Sequence, residues 1–157
     1  MCSTGVIAGI DVLASQDVYT TPAAALAEEV VELHRELARL QGQITRRVAA
    51  LDHLTTGKID GHVSTASWVR DTCSTTHEYA SDLVRTSRVL DSRPACAKVL
   101  TAGAMSYPHA RVITAALTDL PAESRDCAEH ILLDAAVKLD PGQVAVGGHP
   151  AAGDHQP

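Results

Sequence analysis

Residues 22–51 read PAAALAEEVVELHRELARLQGQITRRVAAL, and the fold turns on this stretch. After Pro22 the apolar side chains recur at Leu26, Val30, Leu33, Leu37, Leu40, Ile44, Val48 and Leu51. Steps of three and four residues bring them onto one face of an α-helix and do not fit the two-residue period of a strand. Glu28, Glu29 and Glu32 lie in the first half while Arg46 and Arg47 lie near the end, an order that complements the helix dipole. The spacing predicts a helix of about 32 residues, about 48 Å long. The strict heptad runs only from Leu26 to Ile44, because Arg47 takes the next position. The stripe therefore reads first as a core-packing face and second as a pairing surface.

Shorter helices follow. Upstream, Val6, Ile10 and Leu13 have the spacing of a short helix near residues 6–15. Downstream, residues 57–61 (GKIDG) form a loop, and Ser64 is positioned to cap a helix over Thr65–Thr72. Cys73-Ser74-Thr75 reads as a tight turn, and Thr75 with Glu78 has capping-box spacing for a helix to about Leu90. Tyr79, Leu83, Val84 and Leu90 are expected to face inward. Pro94 opens a helix through Ala102, with Gly103 fitted to the C′ position. Ser106 starts another, with Ala110, Ile113 and Leu117 apolar. Pro121 precedes a last clear helix, Ala122 to Leu139, with Ile131, Leu132, Ala135 and Leu139 inward. Asp140-Pro141 reads as one more helix start that residues 147–150 (GGHP) stop, and residues 144–157 are expected to be disordered.

Composition agrees with a helical body. The 157 residues are 45% hydrophobic and 20% charged, with no Phe, three Tyr and one Trp. A core built from Leu, Val, Ile and Ala suits packed helices. Net charge is −6. Residues 1–63 hold five bases and eight acids, 64–120 six and five, and 121–157 two and six. Phosphate binding needs a surplus of Lys and Arg that no segment has, so a nucleic-acid contact would rest on a few arginines gathered on one face. The four cysteines (Cys2, Cys73, Cys96, Cys127) are widely spaced, and no apolar run approaches bilayer length. A reducing cytoplasm with free thiols is the expected setting, with no membrane partner.

The short helix, tight turn and longer helix over residues 65–90 have helix-turn-helix spacing. With Tyr79, Leu83 and Leu90 inward, the outer stripe of the second helix is His77, Ser81, Arg85 and Arg88, with Arg70 beside it. Two guanidinium groups, an imidazole and a hydroxyl suit phosphates or base edges of duplex DNA. Asp82 and Asp91 stand three residues from Arg85 and Arg88, so a self-neutralised, solvated face explains the same pattern. Trp68 reads as a core anchor. The eight histidines show no H-E-x-x-H, and Cys127 with His130 supplies two ligands at most. No nucleophile–base pair or phosphate-cradling loop occurs, so no catalytic residue, metal, cofactor or small-molecule ligand is expected.

The order of four segments is more specific than any of them. Ser64-Thr65-Ala66-Ser67-Trp68-Val69-Arg70 resembles the S-T-A-x-W-L-R signature of the actinobacterial 13E12-repeat family, whose shared region is known as domain of unknown function 222. The stretch from Arg93-Pro94 to Leu100 and Gly103 is similar to that family's L-P-x-x-x-x-x-L-x-x-G segment. Residues 106–113 (SYPHARVI) resemble its S-x-x-H/Q-A-R-V-I segment, and Leu120-Pro121 and Leu139-Asp140-Pro141 complete the order. The likeness covers roughly residues 24–143. It implies a helical domain that in many members precedes an HNH-type nuclease module, a His-rich metal-binding unit that this sequence does not show. On that likeness the chain looks like a shortened copy. No catalytic residue carries over.

The expectation is one all-α domain over 22–143, a long N-terminal helix packed on four to five shorter helices that include a helix-turn-helix-like pair. Residues 1–21 form a weakly structured lead. The expected function is a non-catalytic, DNA-associated module acting through Arg70, His77, Ser81, Arg85 and Arg88. The alternative is a protein-interaction or self-association module, a homo-oligomer joined through the Leu26–Leu51 face.

Overall fold

A computed structural model describes residues 4–56 and 58–147 of the chain. Eight α-helices and one 3₁₀ turn lie among them, with no strand. One isolated antiparallel bridge, Ile59 to His62, closes the loop before α3. The chain divides into two compact units, Met1–Leu33 and His34–Pro157. The long helix α2 (Ala23–Thr55) begins in the first and ends in the second.

The first unit holds α1 (Thr4–Ala14), the turn after it and the opening turns of α2. The expected lead is thus a formed helix. Its apolar residues Val6, Ile7, Ile10, Val12 and Leu13 are all exposed. Asp17 accepts the Tyr19 amide on its side chain, while its carbonyl accepts from Thr20, an Asx-type turn that separates α1 from α2.

The second unit carries the core. After α2 come α3 (Thr65–Thr72), α4 (His77–Ser92), α5 (Pro94–Thr101), α6 (Tyr107–Asp119), α7 (Arg125–Ala136) and α8 (Pro141–Gly147). Leu100, Ile113, Leu117 and Val144 are fully buried at its centre, joined by Val69, Leu83, Val84, Leu90 and Leu132. Each helix start has its own chemistry. Ser64 and Ser67 form a capping box at α3, and Ser106 caps α6 by accepting the His109 amide. At α4 the cap is Thr76, which accepts from the Tyr79 amide, one residue later than the expected Thr75–Glu78 pair. The helix thus starts at His77. Tyr79 falls in its first turn and is 40% exposed rather than inward.

α5 ends in a Schellman motif. The amides of Gly103 and Ala104 donate to the carbonyls of Leu100 and Val99, and Gly103 has φ +74°. A side chain there is excluded twice, since a Cβ would also lie 2.8 Å from the Arg35 carbonyl oxygen.

Three sequence expectations are corrected. The last long helix is split, because the chain after Pro121 makes a 3₁₀ turn (Ala122–Ser124) before α7. α7 then ends at Ala136, which leaves Leu139 outside the helix and Ile131 exposed on it. Order extends to Gly147, four residues into the stretch expected to be disordered. Asp140 and Gln143 cap α8 reciprocally, and Val144 is buried in the core. Gly148–Pro157 lie outside the described residues.

The third correction concerns α2. Within the second unit its buried residues are Ala38, Gly42, Thr45, Val48 and Ala49. Apart from Val48 these are small, and they recur at helical spacing on a face turned about 130° from the leucine stripe at 3.6 residues per turn. A Cβ on Gly42 would meet Thr101 Cγ2 at 2.8 Å and Thr101 Cα at 3.1 Å. The helix therefore approaches α5 backbone to backbone, which only a face of small side chains permits. Leu37, Leu40 and Ile44 stay at the surface.

Candidate functional site

α3 and α4 pack against each other and present the expected stripe outward. His77 and Arg85 are exposed, Arg88 is exposed, and Ser81 is half-buried. The His77 Nε2 and Ser81 Oγ atoms are 3.4 Å apart. Arg70 lies in the last turn of α3, half-buried. All five residues are accessible, and all three arginines are already engaged by carboxylates.

Arg70 donates through Nε and Nη2 to both oxygens of Asp71, at 2.6 and 2.8 Å. Arg88 reaches back to α2 and forms a two-point bond to Asp52, 2.7 Å from Nε and 2.9 Å from Nη2. Asp52 also accepts from the buried Thr65 hydroxyl at 2.7 Å. The Arg88 bond, with Thr65 helping against the opposing effect of burial, holds the Asp52 carboxyl below the usual carboxylate range. Arg88 is thus a tie between α4 and α2 as much as an outward charge.

Arg85 pairs with Asp82, and so does Arg111 of α6. Asp82 is a buried carboxylate on α4 serving two exposed guanidinium groups, so this cluster carries one net positive charge. It lines a cleft of about 330 Å³ with Pro108, Val112 and Pro141. Beneath it, burial, reinforced by the negative charge of Asp82, pushes the Tyr107 phenol up to about 12. Sequence reasoning missed Arg111 and Asp52, because both act across elements and no local spacing announces them.

The residues that carry the sequence signatures are mostly structural. Trp68 is half-buried, packs against the core and donates from Nε1 to Asp60 at 3.3 Å. Arg93 pairs with Asp126 and with Glu129, and Glu129 also accepts the Cys96 amide at 3.0 Å, which ties α5 to α7. His109 sits 2.8 Å from the Ser106 hydroxyl on one side and 2.8 Å from the Leu139 carbonyl on the other. Cys96 is buried, and desolvation, with the Glu129 charge adding, pushes its thiol up to about 12.

The second surface is the leucine stripe. Val30, Leu33, Leu37, Leu40 and Ile44 are between 37% and 53% exposed along α2. Ordinary surfaces scatter apolar side chains singly, whereas in the second unit Leu37, Leu40 and Ile44 share one helix face. Charge is graded along the same helix. Residues 23–38 hold four glutamates against one arginine, and residues 39–55 hold three arginines against one aspartate.

Among the described residues no group of three or more His, Cys, Asp or Glu is placed to hold a metal ion, and Cys127 and His130 are both exposed on α7. No described helix is long and apolar enough to cross a membrane. Fold and surfaces together define an all-α domain with a solvent-facing apolar stripe and a set of arginine–carboxylate ties. The family described as "Domain of unknown function (DUF222)" matches residues 26–154, and the chain belongs to it. No curated protein and no solved structure matches the chain.

Proposed function

We propose that this chain is a non-catalytic interaction module whose α2 stripe takes a partner helix. One observation carries the reading: Leu37, Leu40 and Ile44 of α2 face solvent, while the residues that α2 buries are, apart from Val48, small. Were the leucines needed for folding, they would occupy the face that meets α5. A contiguous apolar row left outside instead marks a surface awaiting a partner. The test is the triple variant Leu33→Gln/Leu37→Gln/Leu40→Gln. It should keep its helical circular dichroism and a cooperative thermal transition in dilute solution, because these side chains lie outside the core. Loss of folding would place the stripe in the core and end the reading.

The Arg85–Asp82–Arg111 cluster favours a second reading, a DNA-associated module resembling the targeting half of an HNH-linked nuclease. The two guanidinium groups come from different helices and one buried carboxylate positions them, so a phosphate would meet them pre-arranged. The outer stripe His77, Ser81, Arg85, Arg88 and the adjacent Arg70 would supply further backbone contacts. The acids at Asp52, Asp71 and Asp82 oppose this, so the expected binding is weak and lost at moderate salt. Fluorescence anisotropy with a duplex at low salt tests it, and equal binding by an Arg85→Ala/Arg111→Ala variant would end it. The three described cysteines, Cys73, Cys96 and Cys127, are free thiols, which suits a reducing, cytoplasmic setting.

A further inference from the structure

We propose that the cleft between α2, α4 and α5 is a binding site for a free α-amino acid with an apolar side chain. The cleft lies wholly in the second unit and encloses about 310 Å³. That is room for about ten atoms of water size, at the small end of ligand sites. Gly42 and Thr101 close it where α2 meets α5 backbone to backbone, and Ala49, Leu90, Pro94 and Ala97 give it apolar walls. The face of α2 that lines it is the small-residue one, so the site is separate from the leucine stripe.

The polar groups of the cleft divide into satisfied and open ones. Thr45 donates to the Gly42 carbonyl, and Thr101 to those of Ala97 and Lys98, so both hydroxyl protons are spent on their own helices. Ser87 differs. It is 1% exposed, it lines the cleft, and its Oγ has no hydrogen-bond partner among the described residues. A buried hydroxyl left in this way is unfavourable until a polar group enters to meet it. Asp91 stands four residues further along α4, hence on the same face. Its spacing offers it to Arg88, but Arg88 is bound to Asp52, and Asp91 has no ion pair among the described residues. Lys98 of α5 is likewise unpaired among them, and Arg46 of α2 has one long contact, 3.4 Å to Gln43 Oε1.

The cleft thus sets an acceptor pair on α4, Ser87 and Asp91, against a cationic pair on the flanking helices, Arg46 and Lys98. One small zwitterion answers both. Its ammonium donates to the Ser87 Oγ and the Asp91 carboxylate, and its carboxylate accepts from Arg46 and Lys98. An anion without the amine leaves Ser87 unmet and is repelled by Asp91. An amine without the carboxylate faces two uncompensated cations. The apolar walls take the side chain, and the volume suits one of leucine or methionine size.

Isothermal titration calorimetry of the full chain with L-leucine, L-methionine, 4-methylpentanoate and 3-methylbutylamine tests this. The last two keep leucine's carbon skeleton and lack its amine and its carboxylate respectively. The two amino acids should bind saturably below about 10 mM, and each truncated analogue at least about tenfold more weakly than leucine. Asp91→Asn and Lys98→Met, both at exposed positions, should keep the melting midpoint and each lose at least about tenfold in leucine affinity. Because Asp91 faces the amine, Asp91→Asn should bind 4-methylpentanoate no more weakly than the unsubstituted chain does, which a merely structural loss would not allow. Absence of binding by both amino acids at that concentration, 4-methylpentanoate binding as tightly as leucine, or folded variants with unchanged leucine affinity overturns the proposal. Each of these outcomes leaves the α2 stripe intact, since that reading is judged by the folding of the glutamine triple variant.

Discussion

Replacing Gly42 by Leu tests whether α2 is held by its small-residue face. The substitution acts on two opposed terms. Leu is a far better helix former than Gly, which favours the variant by about 0.8 kcal/mol in a helix interior. Against that, the Cβ alone would sit 2.8 Å from Thr101 Cγ2, 3.1 Å from Thr101 Cα and 3.2 Å from Thr101 N. Two of those three atoms are backbone, so no rotamer change relieves the contact, and the remaining carbons of Leu find no space between α2 and α5. Overpacking of this kind costs about 3 kcal/mol at the upper end of its usual range. The net is a loss of about 2 kcal/mol. For a domain of this size the midpoint of thermal unfolding should fall by about 4–8 °C. Circular dichroism melts of the purified variant at low concentration measure it. A midpoint equal to or above that of the unsubstituted chain would mean that helix propensity prevails and that the α2–α5 contact is not close.

Other consequences follow from the ties between helices. Asp52→Asn removes the two-point bond from Arg88 and should cost about 1–2 kcal/mol near neutral pH, after allowance for the exposed guanidinium. Because the folded Asp52 carboxyl is held below its ordinary value of 3.8, its contribution is complete above that value and drains away as pH falls through the lower folded one. Acid titrations of stability for the two chains should therefore stay apart down to pH 3.8 and converge only below the lower, folded value. Thiol labelling in a Cys2→Ser variant should modify Cys73 and Cys127 in the native protein and leave Cys96 untouched until denaturant is added, counted by intact mass. Gly103→Ala forces a Cβ into the left-handed region and against the Arg35 carbonyl, and should destabilise by at least about 1 kcal/mol in urea melts.

Most of the helical plan was legible because its signals are local. Ser64 and Ser106 announce their helices through short side chains that reach amides three residues on. Gly103 announces the end of α5 through the left-handed backbone that it alone adopts at no cost. The choice of face on α2 was not legible. Hydrophobic periodicity selects the leucines, whereas close approach of two backbones selects Ala38, Gly42, Thr45 and Ala49, and the second demand won in the second unit. The Arg85, Arg88 and Arg70 positions were found from the α4 period and the neighbouring turn. Their carboxylate partners were found only in part. Asp82 lies three residues from Arg85, but Asp52 is thirty-six residues from Arg88 and belongs to another helix. The same limit hid Arg111, whose bond to Asp82 joins α6 to α4. It also hid the last turn at Val144, a buried anchor inside a stretch whose composition is that of a tail.

The account rests on the leucine row of α2 standing outside the core, ready for a second helix. Circular dichroism and light-scattering mass of Leu33→Gln/Leu37→Gln/Leu40→Gln measure this most directly. The expected result is a helical spectrum, a cooperative melt and a folded species of 16.5 kDa. A variant that loses its helical fold contradicts it.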